Sequence, residues 1–186
     1  SDVCSSDLLP VAAVEQHGPH LPLGVDAMIM QGCLNRVAPL LPTDIEAIVL
    51  PIQSIGVSLE HRDFAGSLTL APETAARLLG DIAESVFRAG VRKIVLMNSH
   101  GGNSALISQV ALDLRSRFEA LAVTCSWSRF GYPDGMFDPE EIRHGIHGGD
   151  IETSLMLAFR PDLVDMAQAR HFASESHAFE IGRAHV

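Results

Sequence analysis

Short apolar runs alternate with stretches of helical period along almost the whole chain, and this alternation constrains the fold most. Residues 9–14, 45–52, 93–97 and 120–127 read as strands. Between them, residues 27–38 read as a helix ended by Pro39. Pro72 suits a first helical position, Leu78, Leu79, Ile82, Val86 and Phe87 form an apolar stripe, and Gly90 suits the stop. Residues 104–118 place Ile107, Val110, Ala111, Leu114 and Phe118 on one face. A last helix opens at Asp150 or Ile151, runs through Phe159 and is closed by Pro161. Strand–helix alternation implies an α/β fold, with a parallel sheet and helices on its faces. Ligands of such sheets bind beyond the carboxyl ends of the strands. Residues 15–26 follow the first strand and residues 98–103 the third, so both are expected at one edge of one sheet.

The first of these segments is Glu15-Gln16-His17-Gly18-Pro19-His20-Leu21-Pro22-Leu23-Gly24-Val25-Asp26. Its Glu15, His17 and Asp26 offer two carboxylates and an imidazole, a ligand set suited to Zn²⁺, Mn²⁺ or Fe²⁺. The second is Asn98-Ser99-His100-Gly101-Gly102-Asn103. Taken alone, it fits a tight strand-to-helix turn in which His100 bonds a carbonyl. Beside Glu15, His17 and Asp26 it fits a metal ligand flanked by glycines that allow close approach. A third cluster, His147-Gly148-Gly149-Asp150-Ile151-Glu152-Thr153-Ser154, puts Asp150 and Glu152 in a first helical turn. There they would serve as N-cap and dipole partner or, with His147, as part of the site. Glu60-His61 follows a Gly-x-Ser turn and can line the same pocket. Trp127, Phe130 and Tyr132 could stack on a flat ring or simply pack.

Several function classes are disfavoured. A net charge of −10 without a Lys/Arg cluster argues against nucleic-acid or anionic-membrane binding. No apolar run approaches the length of a membrane span. Cys4, Cys33 and Cys125 lie far apart without a CxxC, so the expected compartment is a reducing cytoplasm. No GxSxG elbow surrounds Ser99 or Ser154, H-E-x-x-H is absent, and so are GxxxxGK[ST] and GxGxxG.

The two ends read differently from the rest. Residues 1–8 (SDVCSSDL) and 180–186 (EIGRAHV) do not continue the neighbouring patterns and resemble peptides translated from sequencing-adapter DNA. The expectation is one domain over 9–179, truncated at both ends, with non-native tails at 1–8 and 180–186.

Together the three clusters resemble the creatininase family of creatinine amidohydrolase-like proteins. The lesser segments Gly56-Val57-Ser58-Leu59-Glu60-His61 and Ser67-Leu68-Thr69-Leu70 fit as well. The resemblance implies a three-layer α/β/α arrangement around a mainly parallel sheet and two divalent metals, Zn²⁺ or Mn²⁺ with Fe²⁺ as an option. It makes Glu15, His17, Asp26 and His100 metal ligands, with Asp26 the bridge, and His147 the catalytic histidine. Creatininases proper carry Tyr-Glu after the His100 position, and that Glu binds the second metal. Here Gly101-Gly102 stands instead, so another ligand is required, Glu152 first and Asp150 second. The same departure turns the expectation from creatinine toward another C–N amide.

The expected activity is metal-assisted hydrolysis of a non-peptide or cyclic C–N amide in a small molecule, by a homo-oligomer. Branches with His-Gly-Gly-Asn resemble deformylases or peptide-trimming enzymes of cofactor pathways, which is the alternative. The rivals from other classes are a non-catalytic metal-binding sensor or scaffold, and a phosphate-binding α/β protein using Gly101-Gly102.

Overall fold

A computed structural model describes residues 6–172. Its centre is a four-stranded parallel sheet of β1 (Ser6–Val11), β2 (Ala47–Val49), β3 (Lys93–Asn98) and β4 (Leu121–Ser126), in the order β2-β1-β3-β4. The helices are α1 (Val25–Val37), α2 (Pro72–Arg88), α3 (Ser104–Phe118), α4 (Pro139–His144) and α5 (Asp150–Phe159).

The strand order fixes where the helices go. The step from β1 to β2 runs one way across the sheet, and the steps to β3 and β4 run the other. Right-handed crossovers therefore put α1 on one face and α2 and α3 on the opposite face. Packing follows that division. Leu9, Val11, Ile94, Leu96 and Ala122 from the strands bury against Leu79, Ala83, Val86 and Phe87 of α2 and Ile107, Val110, Ala111 and Leu114 of α3. On the other side α1 packs on α5, with Val25 and Ile29 against Met156 and Leu21. The result is the three-layer α/β/α arrangement. Between β1 and β3 the direction of winding reverses, which makes the carboxyl ends of these two strands the crevice of the sheet.

Element positions follow the sequence closely, with three departures. The second strand was expected over residues 45–52, yet only Ala47–Val49 pair continuously. Pro51 has no N–H to donate; past Val49, Leu50 N still donates to Leu8 O at 2.9 Å, and the chain then pairs at the isolated bridge Val11–Gln53. The polar loop before residue 149 contains the short α4. Its start is locally encoded: Asp138 accepts a hydrogen bond from the Glu140 N–H at 2.8 Å, and Pro139 is the first helical residue.

The third departure concerns the chain start. Of the segment read as a tail, residues 1–5 lie outside the described residues, as do residues 173–186. Ser6, Asp7 and Leu8 belong to β1, in register with Lys93, Ile94 and Val95 of β3. β1 thus spans Ser6–Val11 and not 9–14: it begins three residues before the expected Leu9, because ladder hydrogen bonding uses the backbone whatever the side chain, and it ends three residues before the expected Val14. The side chain of Asp7 fits poorly. It is 5% exposed, beside Ile48, Leu50, Leu78, Ile82 and Val86, and its Oδ1 has no hydrogen-bond partner among the described residues. Burial raises its pKa. A carboxyl with a raised folded-state pKa favours folding below its ordinary value and loses that contribution as pH rises through the folded one. Asp7→Val should therefore stabilise the protein by about 1–3 kcal/mol. Thermal melts should show the gain largest at neutral pH and smaller in acid.

Candidate metal centre

The loop after β1 carries Glu15 and His17, the first turn of α1 carries Asp26, and His100 follows β3 directly. Strand order brings them to the crevice, and α5 delivers Glu152 from the other side. Glu15, His17 and Asp26 are 0%, 1% and 2% exposed, and His100 is buried as well. Such depth is unusual for four ionisable side chains unless they are paired or hold a metal.

Their donor atoms converge in two groups that share Asp26. In one, His17 Nε2 lies 3.7 Å from Asp26 Oδ1 and 3.8 Å from Glu152 Oε1. In the other, His100 Nδ1 lies 3.1 Å from Glu15 Oε1 and 3.9 Å from Asp26 Oδ2. The two oxygens of Asp26 thus face different groups, as a bridging carboxylate requires. Asp150, the second choice for a ligand, is exposed at the start of α5. The N-cap is Gly149, so Asp150 does not fill that role either.

The atoms aimed inward lack partners. Among buried side chains, Glu15 Oε1, His17 Nε2 and Asp26 Oδ2 have no hydrogen bond. For Glu15 and His17 it is the free end of a side chain whose other end is held. His17 Nδ1 donates to Glu15 O at 3.1 Å, which leaves the Nε2 lone pair facing the carboxylates. Ser58 Oγ donates to Glu15 Oε2, leaving Oε1 free. His100 Nε2 donates to Val57 O at 2.9 Å, leaving Nδ1 for the site. Gly148 N donates to Glu152 Oε2. Held outer atoms with free inner ones, in an N/O donor set of this kind, fit divalent cations such as Zn²⁺ or Mn²⁺.

Charge supports the same reading. Burial would lower the pKa of His17 and of His100. Asp26 and Glu152 outweigh it for His17, at about 9, and Glu15 and Glu60 outweigh it for His100, at about 10. Burial would raise the pKa of Glu15, but His100 and Ser58 hold it at about 2. Burial raises Asp26, and it raises Glu152 to about 7. The cluster is thus an anionic cage that, without metal, binds protons where cations would go.

His147 closes the site from the loop before α5. Its ring stacks on His61 and lies tilted against His17, with centroids 4.2 Å from each. Nδ1 lies 3.6 Å from Glu15 Oε1, and Nε2 bonds Gln16 O. Burial, then the neighbouring His17 and His61, lowers its pKa to about 4, so the ring is neutral at pH 7.

The creatininase family model, described as creatinine amidohydrolase, matches residues 4–185. The chain belongs to the creatininase family. It is 35% identical over 175 residues to a creatinine amidohydrolase of Pseudomonas putida, covering 86% of this chain and 66% of that protein. It is also 35% identical over 158 residues to a mycofactocin precursor peptide peptidase of Mycolicibacterium smegmatis, covering 83% of this chain and 58% of that one. The chain therefore spans less than two thirds of each of these relatives. Among solved structures, a tryptophan-to-alanine mutant creatininase superposes with a TM-score of 0.78 at 32% identity, over 91% of this chain and 71% of its own. Other solved creatininases, at a TM-score of 0.70, are described as a manganese form and a zinc–zinc form.

Within this family frame, the structure brings together Glu15, His17, Asp26, His100, His147 and Glu152. His20 instead ties the loop after β1 to α5, through Thr153 Oγ1 at 3.0 Å. Trp127 packs in the α1–α5 core, and Phe130 is exposed. The supporting residues were not evident from the sequence. Ser58 lies 43 residues from the Glu15 it holds. Asn103 spans from Val57 N (2.9 Å) to Ala12 O (3.1 Å) and so clamps the loop after β2 to β1. Glu141 of α4 accepts from Ile151 N at 3.2 Å, helping the Gly149 cap.

A stability consequence follows from the raised histidine pKa values. A histidine with a raised folded-state pKa stabilises the fold fully below about 6.5 and loses that contribution as pH rises through the folded value. Chelated protein should therefore show a melting temperature that declines from pH 7 to pH 10, as His17 and His100 lose their protons. Saturating Zn²⁺ should flatten the decline.

Proposed function

We propose that the protein is a metal-dependent amidohydrolase that cleaves a non-peptide or cyclic C–N amide bond in a small molecule. The observation that carries the reading is the pair of donor groups sharing Asp26, with three buried donor atoms left unpartnered at their centre. His17, Asp26 and Glu152 would hold one cation, and Glu15, Asp26 and His100 the other. Zn²⁺ and Mn²⁺ are the metals of choice. Bound divalent metals supply a water of pKa ~7 and a Lewis acid for the carbonyl.

The chain's own residues do the rest. His147 is the half-buried neutral imidazole at the mouth of the pocket, with its ring fixed by ring contacts. In our reading it takes the proton released as water adds to the carbonyl carbon. It then passes that proton to the nitrogen as the C–N bond breaks. Contact with the rings of His17 and His61 holds the imidazole in place.

A second reading is peptide trimming or deformylation. It is favoured by equal identity to the creatinine amidohydrolase and to the peptide peptidase, and by Gly101-Gly102 in place of a bulky pair. Hydrolysis rates on cyclic amides, short peptides and formamides separate the two.

Two further readings concern context. Assembly with further copies is supported by Leu121 and Val123 of β4, which stand exposed on the α1 face of a parallel sheet, a type ordinarily covered on both faces. A cytoplasmic setting is supported by the dispersed cysteines. No helix among the described residues is long and apolar enough to cross a membrane.

Substitutions test the activity. Glu15→Gln and His100→Ala should lose bound metal and turnover together. His147→Ala should keep its metal and lose turnover by about 10²–10⁴-fold. Metal content by elemental analysis, run beside the rate assay, reads both. Undiminished hydrolysis by fully chelated protein would exclude the reading.

A further inference from the structure

Gly102 is placed where a side chain has no room. A Cβ built there would lie 2.5 Å from Glu60 Oε1, 2.5 Å from His100 Nε2 and 2.6 Å from Val57 O. Its φ is not in the left-handed region, so backbone conformation does not demand glycine. Close approach does, and two of the three atoms that come close belong to side chains at the site. Glu60 reaches this place from the short turn Leu59–His61, which follows the Ser58 that holds Glu15. Its Oε1 lies 3.3 Å from His100 Nε2, the nitrogen on the side of the ring away from the donor cluster. That nitrogen is bonded to a neutral carbonyl, Val57 O at 2.9 Å, and a carboxylate stands beside it as an ion-pair partner.

A metal-binding imidazole commonly donates its second N–H to a carboxylate or carbonyl, which fixes the ring and makes the ligating nitrogen more basic. Here the carbonyl takes the hydrogen bond, and the carboxylate adds its charge 3.3 Å from the same nitrogen. Glu60 also stands at the rim of the pocket, with its side chain 45% exposed, where it can withdraw without a cavity forming.

We propose that Glu60 is a positioning residue that orients the metal-binding ring of His100, and that residue 102 is glycine because the Glu60 carboxylate, the His100 ring and the Val57 carbonyl together use the space a side chain would need. This rests on the metal reading above. In this chain the carboxylate beside His100 comes from the loop after β2 instead of from position 102. The pocket wall beside His100 is then set by the turn Leu59–His61 and not by the strand-to-helix turn after β3. Removing Glu60 alone does not free that volume, since His100 Nε2 and Val57 O still crowd it.

The test is a Co²⁺ titration of the metal-free chain, followed by visible absorption and equilibrium dialysis, for wild type, Glu60→Gln and Glu60→Ala. Wild type should bind two equivalents. Glu60→Ala should weaken one of them by about tenfold, the group containing His100, and leave the other unchanged. Glu60→Gln keeps the shape of the side chain without its charge and should recover part of that loss. The weakened equivalent should be the one that His100→Ala abolishes. Circular dichroism spectra of the metal-free variants should match wild type, which separates a lost metal contact from a lost fold. If both variants bind both equivalents as wild type does, or lose both equally, the role of Glu60 is overturned while the metal reading stands. If wild type itself binds no Co²⁺, the metal reading fails and this one with it.

Discussion

The buried carboxylate of Asp26 is the interaction on which the site depends. It is 2% exposed at the start of α1, and its main-chain carbonyl accepts from Ser99 Oγ at 3.0 Å. That bond ties the first turn of α1 to the end of β3, across the crevice where the winding of the sheet reverses. One of its oxygens faces His17 and the other faces His100. An ionised carboxylate at this depth is costly unless opposite charge compensates it. In the metal-free protein the protons on His17 and His100 provide that charge, and two cations would provide it better. The surrounding hydrogen bonds all act in one direction: each turns an inner donor atom toward the same small volume and satisfies the outer one.

Much of this was legible from sequence because the key residues sit beside elements with strong local signals. Glu15 and His17 follow an apolar strand, His100 follows another, and Glu152 lies in the first turn of a helix flanked by Gly149 and Pro161. Parallel topology then does the assembling, since strand ends at one sheet edge meet whatever their separation in sequence. Glu152 could be preferred over Asp150 only on grounds of residue type; the structure separates them by helix phase, one turned inward and the other exposed.

What the sequence left obscure depends on contacts between distant segments. Ser58 and Asn103 look like ordinary loop and cap residues until the loop after β2 is folded over β1. The crowding around Gly102 is likewise invisible, because the atoms that fill its side-chain space come from Glu60 and Val57. Asp7 shows the converse: a polar residue in a segment that looked foreign to the fold still enters the ladder, because backbone pairing tolerates it, and the poor fit is confined to its side chain. The shortening of β2 follows from Pro51, whose effect depends on the edge position of that strand.

The central claim is that Asp26 bridges two cation positions. Metal content per chain, measured by elemental analysis after Zn²⁺ reconstitution and dialysis, tests it most directly when wild type is set beside Asp26→Asn and Glu152→Gln. The account predicts two zinc ions in wild type, one in Glu152→Gln and none in Asp26→Asn. Retention of both ions by Asp26→Asn would contradict it.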